Sequence, residues 1–245
     1  EPPAGAFPAE WVHIPGVAYD GITAGHETPE EVAELILSAV YARWKNGCDI
    51  LHVHNPLLKK NERFLRILQV LQNRGFTLLL QIHDFAEDGR PHVYYREPYP
   101  SDCHYSVINS RDYHGLLRAG LNPKGLHLLP NMVRKIPVPE SITPNNRVIY
   151  PIRAIRRKNL GEAILVALFL KKRIRLCITL PPNSPADVQA YEDWKRFSAE
   201  HRLPVAFDAG LKQDFSTLVS SARFIINTSI SEGFGFSFLE PWTAG

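Results

Sequence analysis

The chain reads as an α/β protein built on parallel sheets, and two observations carry that reading. Short apolar strands alternate with helical segments along its length, the pattern of parallel strands covered on both faces by helices. The alternation is interrupted once, at Pro137-Val-Pro-Glu-Ser-Ile-Thr-Pro-Asn-Asn146, whose proline and polar content is that of a linker. Two Rossmann-like domains are therefore expected, one over residues 1–140 and one over 141–245.

In the first series, Thr28-Pro-Glu-Glu31 is a capping box with proline at the first helical position. Val32, Leu35, Ile36, Ala39 and Val40 follow at helical spacing, and Gly47 is the expected end. Strands are predicted over 49–54, 76–82, 104–109 and 125–129, with helices over 61–73 and 111–119. In the second series, strands are predicted over 147–152, 174–180, 204–207 and 223–228. Asn159 is placed to cap a helix over 160–172, with Lys171, Lys172 and Arg173 complementing its C-terminal end, and Ser184-Pro185 opens another.

Arg223-Phe-Ile-Ile-Asn-Thr228 reads as a buried strand and Phe236 to Ala244 as a helix. Gly245 then stands as a helix C-cap where another strand is expected, so the second domain reads as incomplete at its C-terminus. A sheet ending on the 223–228 strand would expose an edge ready to pair with another chain. No glycine-rich first βα loop is visible near the N-terminus, which leaves open whether that end is trimmed as well.

Bulk properties narrow the function. With 44% hydrophobic residues the chain can bury a core, and 28 Lys plus Arg against 25 Asp plus Glu leave a formal charge of +3. That is too mild to predict nucleic-acid binding. Cys48, Cys103 and Cys177 are far apart and contain no Cys-x-x-Cys pair, which argues against a disulfide framework or structural zinc and suits a reducing, cytoplasmic setting. No apolar run has the length of a membrane-spanning helix, and the N-terminus lacks a signal pattern. No spacing among the ten histidines and the acids makes a metal site.

The chemistry concentrates near the end of the chain. Glu232 and Glu240 stand eight residues apart across the Gly233-Phe234-Gly235 turn. Free backbone N–H groups at a strand-to-helix junction attract an anion, and glycine lets the main chain approach it closely. A diphosphate held by amides, with polyol groups held by two carboxylates, is the chemistry of a nucleotide-sugar site. Arg153 and Lys158 add a planar fork and a compact cation at the start of the second domain. The alternatives are an ordinary βα turn with two solvated acids and a solvated basic loop at Arg156-Arg-Lys158.

Ser231-Glu-Gly-Phe-Gly-Phe-Ser-Phe-Leu-Glu-Pro-Trp-Thr-Ala-Gly245 resembles the Glu-x7-Glu segment of retaining GT-B glycosyltransferases, particularly glycosyltransferase family four. Tyr150-Pro-Ile-Arg153-Ala-Ile-Arg-Arg-Lys158 is similar to the segment that opens that family's second domain. Leu129-Pro-Asn131-Met-Val133, Asn109 to Gly120, Asp49 to Pro56 and Leu80-Gln-Ile-His83-Asp84 resemble first-domain segments in the same order.

The resemblance implies a GT-B fold and a retaining, metal-independent hexosyltransferase. Its donor would be a nucleotide diphosphate sugar of UDP, GDP or ADP type, undetermined by any motif, and its acceptor a hydroxyl of a glycan, lipid or small polar molecule. It places Arg153 and Lys158 on the donor diphosphate, Glu232 on the transferred sugar, Glu240 on the ribose, and Gly233, Phe234, Gly235 and Phe236 in backbone contact with the donor. His83 would face the donor sugar, brought there by domain closure. No cofactor is expected. Some members lie peripherally on membranes, but no amphipathic basic helix marks this chain as one.

Several residues keep a second reading. His83 could simply bond nearby backbone, and His52 and His54 read as satisfied core histidines. Asp84 to Pro91 and Tyr94 to Tyr99 could grip a sugar or form a packed surface loop. As a whole, the chain could also be a silent glycan- or partner-binding domain, or a non-hydrolysing sugar-nucleotide epimerase.

Overall fold

The computed structural model describes residues 11–18, 20, 26–85, 91–170 and 173–244. Two compact units divide the chain, Glu1–Asn131 and Met132–Gly245.

The first unit opens with α1 (Pro29–Arg43). The capping box closes as its sequence requires. Thr28 Oγ1 accepts from the Glu31 amide at 3.2 Å, and the Glu31 carboxylate accepts from the Thr28 amide at 2.7 Å. The helix stops at Arg43 rather than at Gly47, because Trp44 is already extended; Gly47 instead takes the left-handed turn beyond, at φ +80°. Then come β1 (Ile50–His54), α2 (Phe64–Asn73), β2 (Thr77–Ile82), β3 (His104–Val107), α3 (Ser110–Arg118) and β4 (Leu126–Leu128). The sheet is parallel throughout, in the order β1-β2-β3-β4.

Val32, Leu37, Ile67, Leu68, Leu78 and Leu80 form its core, with Leu51 and Val53 of β1 packed against them. Side chains alternate across a strand, so the opposite face of β1 carries His52 and His54, both exposed.

The second unit runs β5 (Arg147–Arg153), α4 (Leu160–Ala167), β6 (Arg175–Leu180), α5 (Pro185–Glu200), β7 (Val205–Ala206), α6 (Ala209–Lys212), α7 (Phe215–Ser221), β8 (Phe224–Ile225) and α8 (Phe236–Trp242). Its sheet is also parallel, in the order β7-β6-β5-β8. Val148, Tyr150, Ile152, Leu176 and Ile178 alternate into a core completed by Ala163, Ile164 and Tyr191. Ile149, Cys177 and Leu218 pack on the other face.

Three predicted details come out differently. The helix after Asn159 ends at Ala167, and Lys171 and Lys172 lie outside the described residues. Asn159 precedes that helix in a left-handed conformation, φ 50°, where its side chain makes no cap to a helix amide and donates to the Glu162 carboxylate instead. The 223–228 segment pairs only over Phe224–Ile225, which are 54% and 38% exposed. It is an edge strand, so one flank lacks a neighbour to bury it.

Cys48, Cys103 and Cys177 are free thiols. Among the described residues, no helix is long and apolar enough to cross a membrane.

Candidate functional site

The strand order of the second unit fixes where chemistry is to be sought. From β5 the chain moves outward through β6 and β7, then returns to place β8 on the other flank of β5. The loops leaving β5 and β8 therefore diverge at a topological switch point, beyond the carboxyl ends of the strands, where open α/β sheets bind ligands.

Tyr150 joins those two loops. Its ring is fully buried in β5, and its hydroxyl donates to the Lys158 carbonyl at 2.5 Å. The same oxygen receives the Thr228 amide at 3.2 Å and lies 3.2 Å from Ser229 Oγ. Thr228 Oγ1 donates to the carbonyls of Lys158 and Asn159, at 3.2 and 3.0 Å, and the Ile230 amide donates to the Arg157 carbonyl. Buried tyrosine hydroxyls need partners, and here the partners are the two site loops.

Held this way, Lys158 Nζ lies 2.5 Å from Glu232 Oε1, with side chains only 10% and 16% exposed. Burial alone would raise the Glu232 carboxyl. Hydrogen bonds from Lys158 and Ser229, with the Lys158 charge, outweigh it and hold the group below the usual carboxylate range. Ser237 Oγ also reaches Glu232 Oε1, at 3.3 Å, and receives the Asn227 amide group at 2.9 Å. Gly235 starts α8 at φ +86°, and a Cβ there would come within 3.2 Å of the Phe238 ring. The first helical hydrogen bonds begin at Phe238, leaving the Phe236 and Ser237 amides outside the ladder. Phe234 and Phe236 lie beside the turn with ring centroids 5.1 Å apart.

The other expected donor contacts stand apart from this pair. Arg153 ends β5 after an irregularity in its pairing with β6; it is exposed and, among the described residues, reaches the Pro181 carbonyl, at 3.4 Å. Glu240 is half-buried on α8. Desolvation raises its carboxyl, and among the described residues its carboxylate has no hydrogen-bond partner or ion pair. Thus the structure brings Lys158, Glu232, Gly235 and Ser237 together, and sets Arg153 and Glu240 at the margins.

His83 belongs to the first unit, one residue beyond β2. Its amide donates to Asn55 Oδ1 at 2.8 Å, and its Nε2 lies 2.7 Å from His54 Nδ1. Burial lowers its imidazole below the ordinary range, a hydrogen bond to the Asn131 side chain opposes this, and the charge of His52 adds to the lowering. His54 is lowered by burial and by the neighbouring His52 and His83. His52 lies beside His54, ring centroids 4.3 Å apart, and hydrogen-bonds Gln81 Oε1 at 2.9 Å. No group of three or more His, Cys, Asp or Glu among the described residues could hold a metal. In the segment after His83, residues 86–90 lie outside the described ones, while Tyr99 donates to the Leu57 carbonyl and Tyr95 to that of Asn61. Those two tyrosines therefore serve packing.

A groove of about 470 Å³ runs along the free edge of β8, lined by Phe224, Ile225, Phe238 and Trp242 among others. It follows the flank of the sheet and reaches Asn227 and Ser237, beside the Glu232 turn.

No protein-family model matches the sequence. The curated mannosylglucosyl-3-phosphoglycerate synthase of Petrotoga mobilis is 26% identical over 223 residues, covering 78% of this chain and 44% of that protein. The chain thus spans less than half the length of that relative. Among solved structures, HepE of Anabaena in complex with UDP superimposes with a TM-score of 0.63 at 11% identity, covering 87% of this chain and 61% of HepE. TarM gives 0.60 at 12% identity, with 88% and 43% covered. The lipopolysaccharide outer core galactosyltransferase WaaB gives 0.51 at 15%, with 88% and 59% covered. The chain therefore has the α/β fold with parallel sheets found in GT-B glycosyltransferases.

Proposed function

We propose that this chain belongs to a retaining, metal-independent glycosyltransferase that moves a sugar from a nucleotide diphosphate to an acceptor hydroxyl. The observation that carries the reading is the buried Lys158–Glu232 pair at the β5/β8 switch point. A cation preset at the end of a strand can meet the negative charge that develops on a leaving diphosphate, and it need not reorganise to do so. Glu232 holds Lys158 in place and offers its carboxylate to hydroxyls of the transferred sugar. Arg153 adds a second cation at the end of β5, and the Gly233 to Phe236 backbone contacts the donor. The Glu240 carboxylate, without a partner among the described residues, is available to the ribose hydroxyls. His83 and its histidine neighbours supply polar contacts for the acceptor.

The relative's name describes assembly of a mannosyl-glucosyl-phosphoglycerate, and HepE was solved with UDP-glucose. GDP-mannose or UDP-glucose as donor, with glucosyl-3-phosphoglycerate as acceptor, are accordingly the first pairs to try. Release of nucleoside diphosphate that depends on the acceptor, with the donor's anomeric configuration kept in the product, supports the reading. Inverted product, or a sugar nucleotide epimerised without acceptor, rules it out.

A further inference from the structure

Proline has no amide hydrogen to give a sheet, yet Pro151 lies inside β5, which has β6 on one side and β8 on the other. The strand accommodates it with a bulge. Tyr150 stands opposite Ile178 and Arg153 opposite Leu180, so Pro151 and Ile152 together face the single residue Thr179. Thr179 is 2% exposed. Its Oγ1 donates to the Ile152 carbonyl at 2.7 Å, with the Tyr150 carbonyl 3.3 Å away as a weaker second acceptor. The direction is fixed, because a carbonyl oxygen can only accept. Regular pairing resumes at the Ala154 amide, which donates to the Leu180 carbonyl at 3.0 Å. In an unbroken register Arg153 would stand opposite Pro181, and the extra residue sets it back to Leu180. A slip of one residue changes the side on which a side chain leaves the sheet. Thr179 cannot back away from the bulge: its carbonyl lies so close to α6 that a Cβ added at Gly210 would come within 3.0 Å of it.

We infer that Thr179 is a positioning residue for the donor site: its hydroxyl closes the β5 bulge and so sets the place from which Arg153 reaches the donor diphosphate. Among the described residues the Arg153 guanidinium bonds the Pro181 carbonyl, at 3.4 Å, so its placement comes chiefly from the backbone that carries it. Valine has the shape of threonine without the hydroxyl, and it would leave the Ile152 carbonyl short of a donor in a strand residue only 4% exposed. What Arg153 holds rests on the nucleotide-sugar reading; the bulge and its tie to Thr179 rest on geometry alone.

Two measurements separate these layers. Amide hydrogen exchange needs no nucleotide. In Thr179→Val the Ala154 amide should exchange at least about tenfold faster, while the Ile226 amide, which donates to the Ile149 carbonyl at 3.0 Å in the same sheet, keeps its rate. Equal acceleration at both amides, or none at Ala154, shows that Thr179 does not hold the bulge and overturns the inference. The second measurement is calorimetric titration of UDP, GDP and ADP into the unmodified protein, Thr179→Val, Arg153→Ala and the double variant. For the nucleotide that binds, Thr179→Val should weaken affinity about fivefold and Arg153→Ala about tenfold. The double variant should bind no more weakly than Arg153→Ala, because Thr179 acts through Arg153. Thr179→Ser keeps the hydroxyl and should bind as the unmodified protein does; Thr179→Ala replaces the valine variant if that one does not fold. Undiminished affinity in Thr179→Val, or a further fivefold loss in the double variant, overturns the positioning role and leaves the donor reading standing. If the unmodified protein binds none of the three nucleotides, the donor reading fails and takes the positioning role with it, while the exchange rates still decide whether Thr179 holds the bulge.

Discussion

Lys158 and Glu232 meet at 2.5 Å although 74 residues separate them in the chain. Each ends a loop leaving the carboxyl end of a neighbouring strand, so their contact spans the switch point of the second sheet. A largely buried pair of this kind costs more to break than it contributes when whole. Glu232→Gln leaves the Lys158 cation buried without its counter-charge and should destabilise the protein by about 3 kcal/mol. Lys158→Met/Glu232→Leu should recover much of that loss, and urea unfolding of the single and double variants measures both.

Tyr150→Phe removes only one oxygen, yet that oxygen serves Lys158, Thr228 and Ser229. A loss of about 1–3 kcal/mol is expected, the cost of leaving buried partners unsatisfied. Nucleotide affinity should fall with it, because the two site loops lose their tie. Unaltered affinity in a folded Tyr150→Phe protein would show that the loops hold their places independently.

Gly235→Ala tests the turn. Its φ of +86° is costly for any residue with a Cβ, and the added carbon would meet the Phe238 ring at 3.2 Å. About 1–3 kcal/mol of destabilisation is expected from the strained backbone, measured as a shift in unfolding midpoint. Gly75→Ala is a useful reference, since its φ is +89° but nothing lies within 4 Å of the added carbon.

The turn was legible in the sequence, because Glu232, Gly235 and Glu240 fall within nine residues, and Arg153 and Lys158 stood out within six. The meeting of Lys158 with Glu232 was not, because 74 residues separate them and only the return of β8 beside β5 brings them together. The role of Tyr150 was not. It sits in an aliphatic strand, and its hydroxyl acquires meaning only when β8 returns beside β5, a pairing between residues far apart in the chain. The one available signal was a tyrosine in a strand expected to be buried on both faces, whose hydroxyl must find a partner. The histidines failed for a related reason. His52 and His54 read as core residues because strand order is not visible in one sequence, and β1 lies at an edge of its sheet. Likewise the 223–228 segment is as apolar as a central strand, yet pairs over only two residues.

Stability should fall on acidification in two steps. His54 and His83 are held below the ordinary imidazole range, so the folded state binds fewer protons than the unfolded chain. Their contribution is complete above the unfolded value of about 6.5 and is lost as pH falls through the lower folded values. Glu232 is shifted down as well, so its contribution is complete above the unfolded carboxylate value and is lost as pH falls through its lower folded one. Thermal unfolding against pH, with His54→Gln flattening the first step and Glu232→Gln the second, checks the assignment.

Calorimetric titration of UDP, GDP and ADP into the protein and into its Lys158→Ala variant tests the donor site most directly. Saturable binding of one nucleotide, weakened at least about tenfold in Lys158→Ala as expected for loss of a charged contact, is the predicted result. Binding that survives the substitution unchanged, or no binding of any of the three by the folded protein, would contradict a nucleotide-sugar site at the β5/β8 switch point.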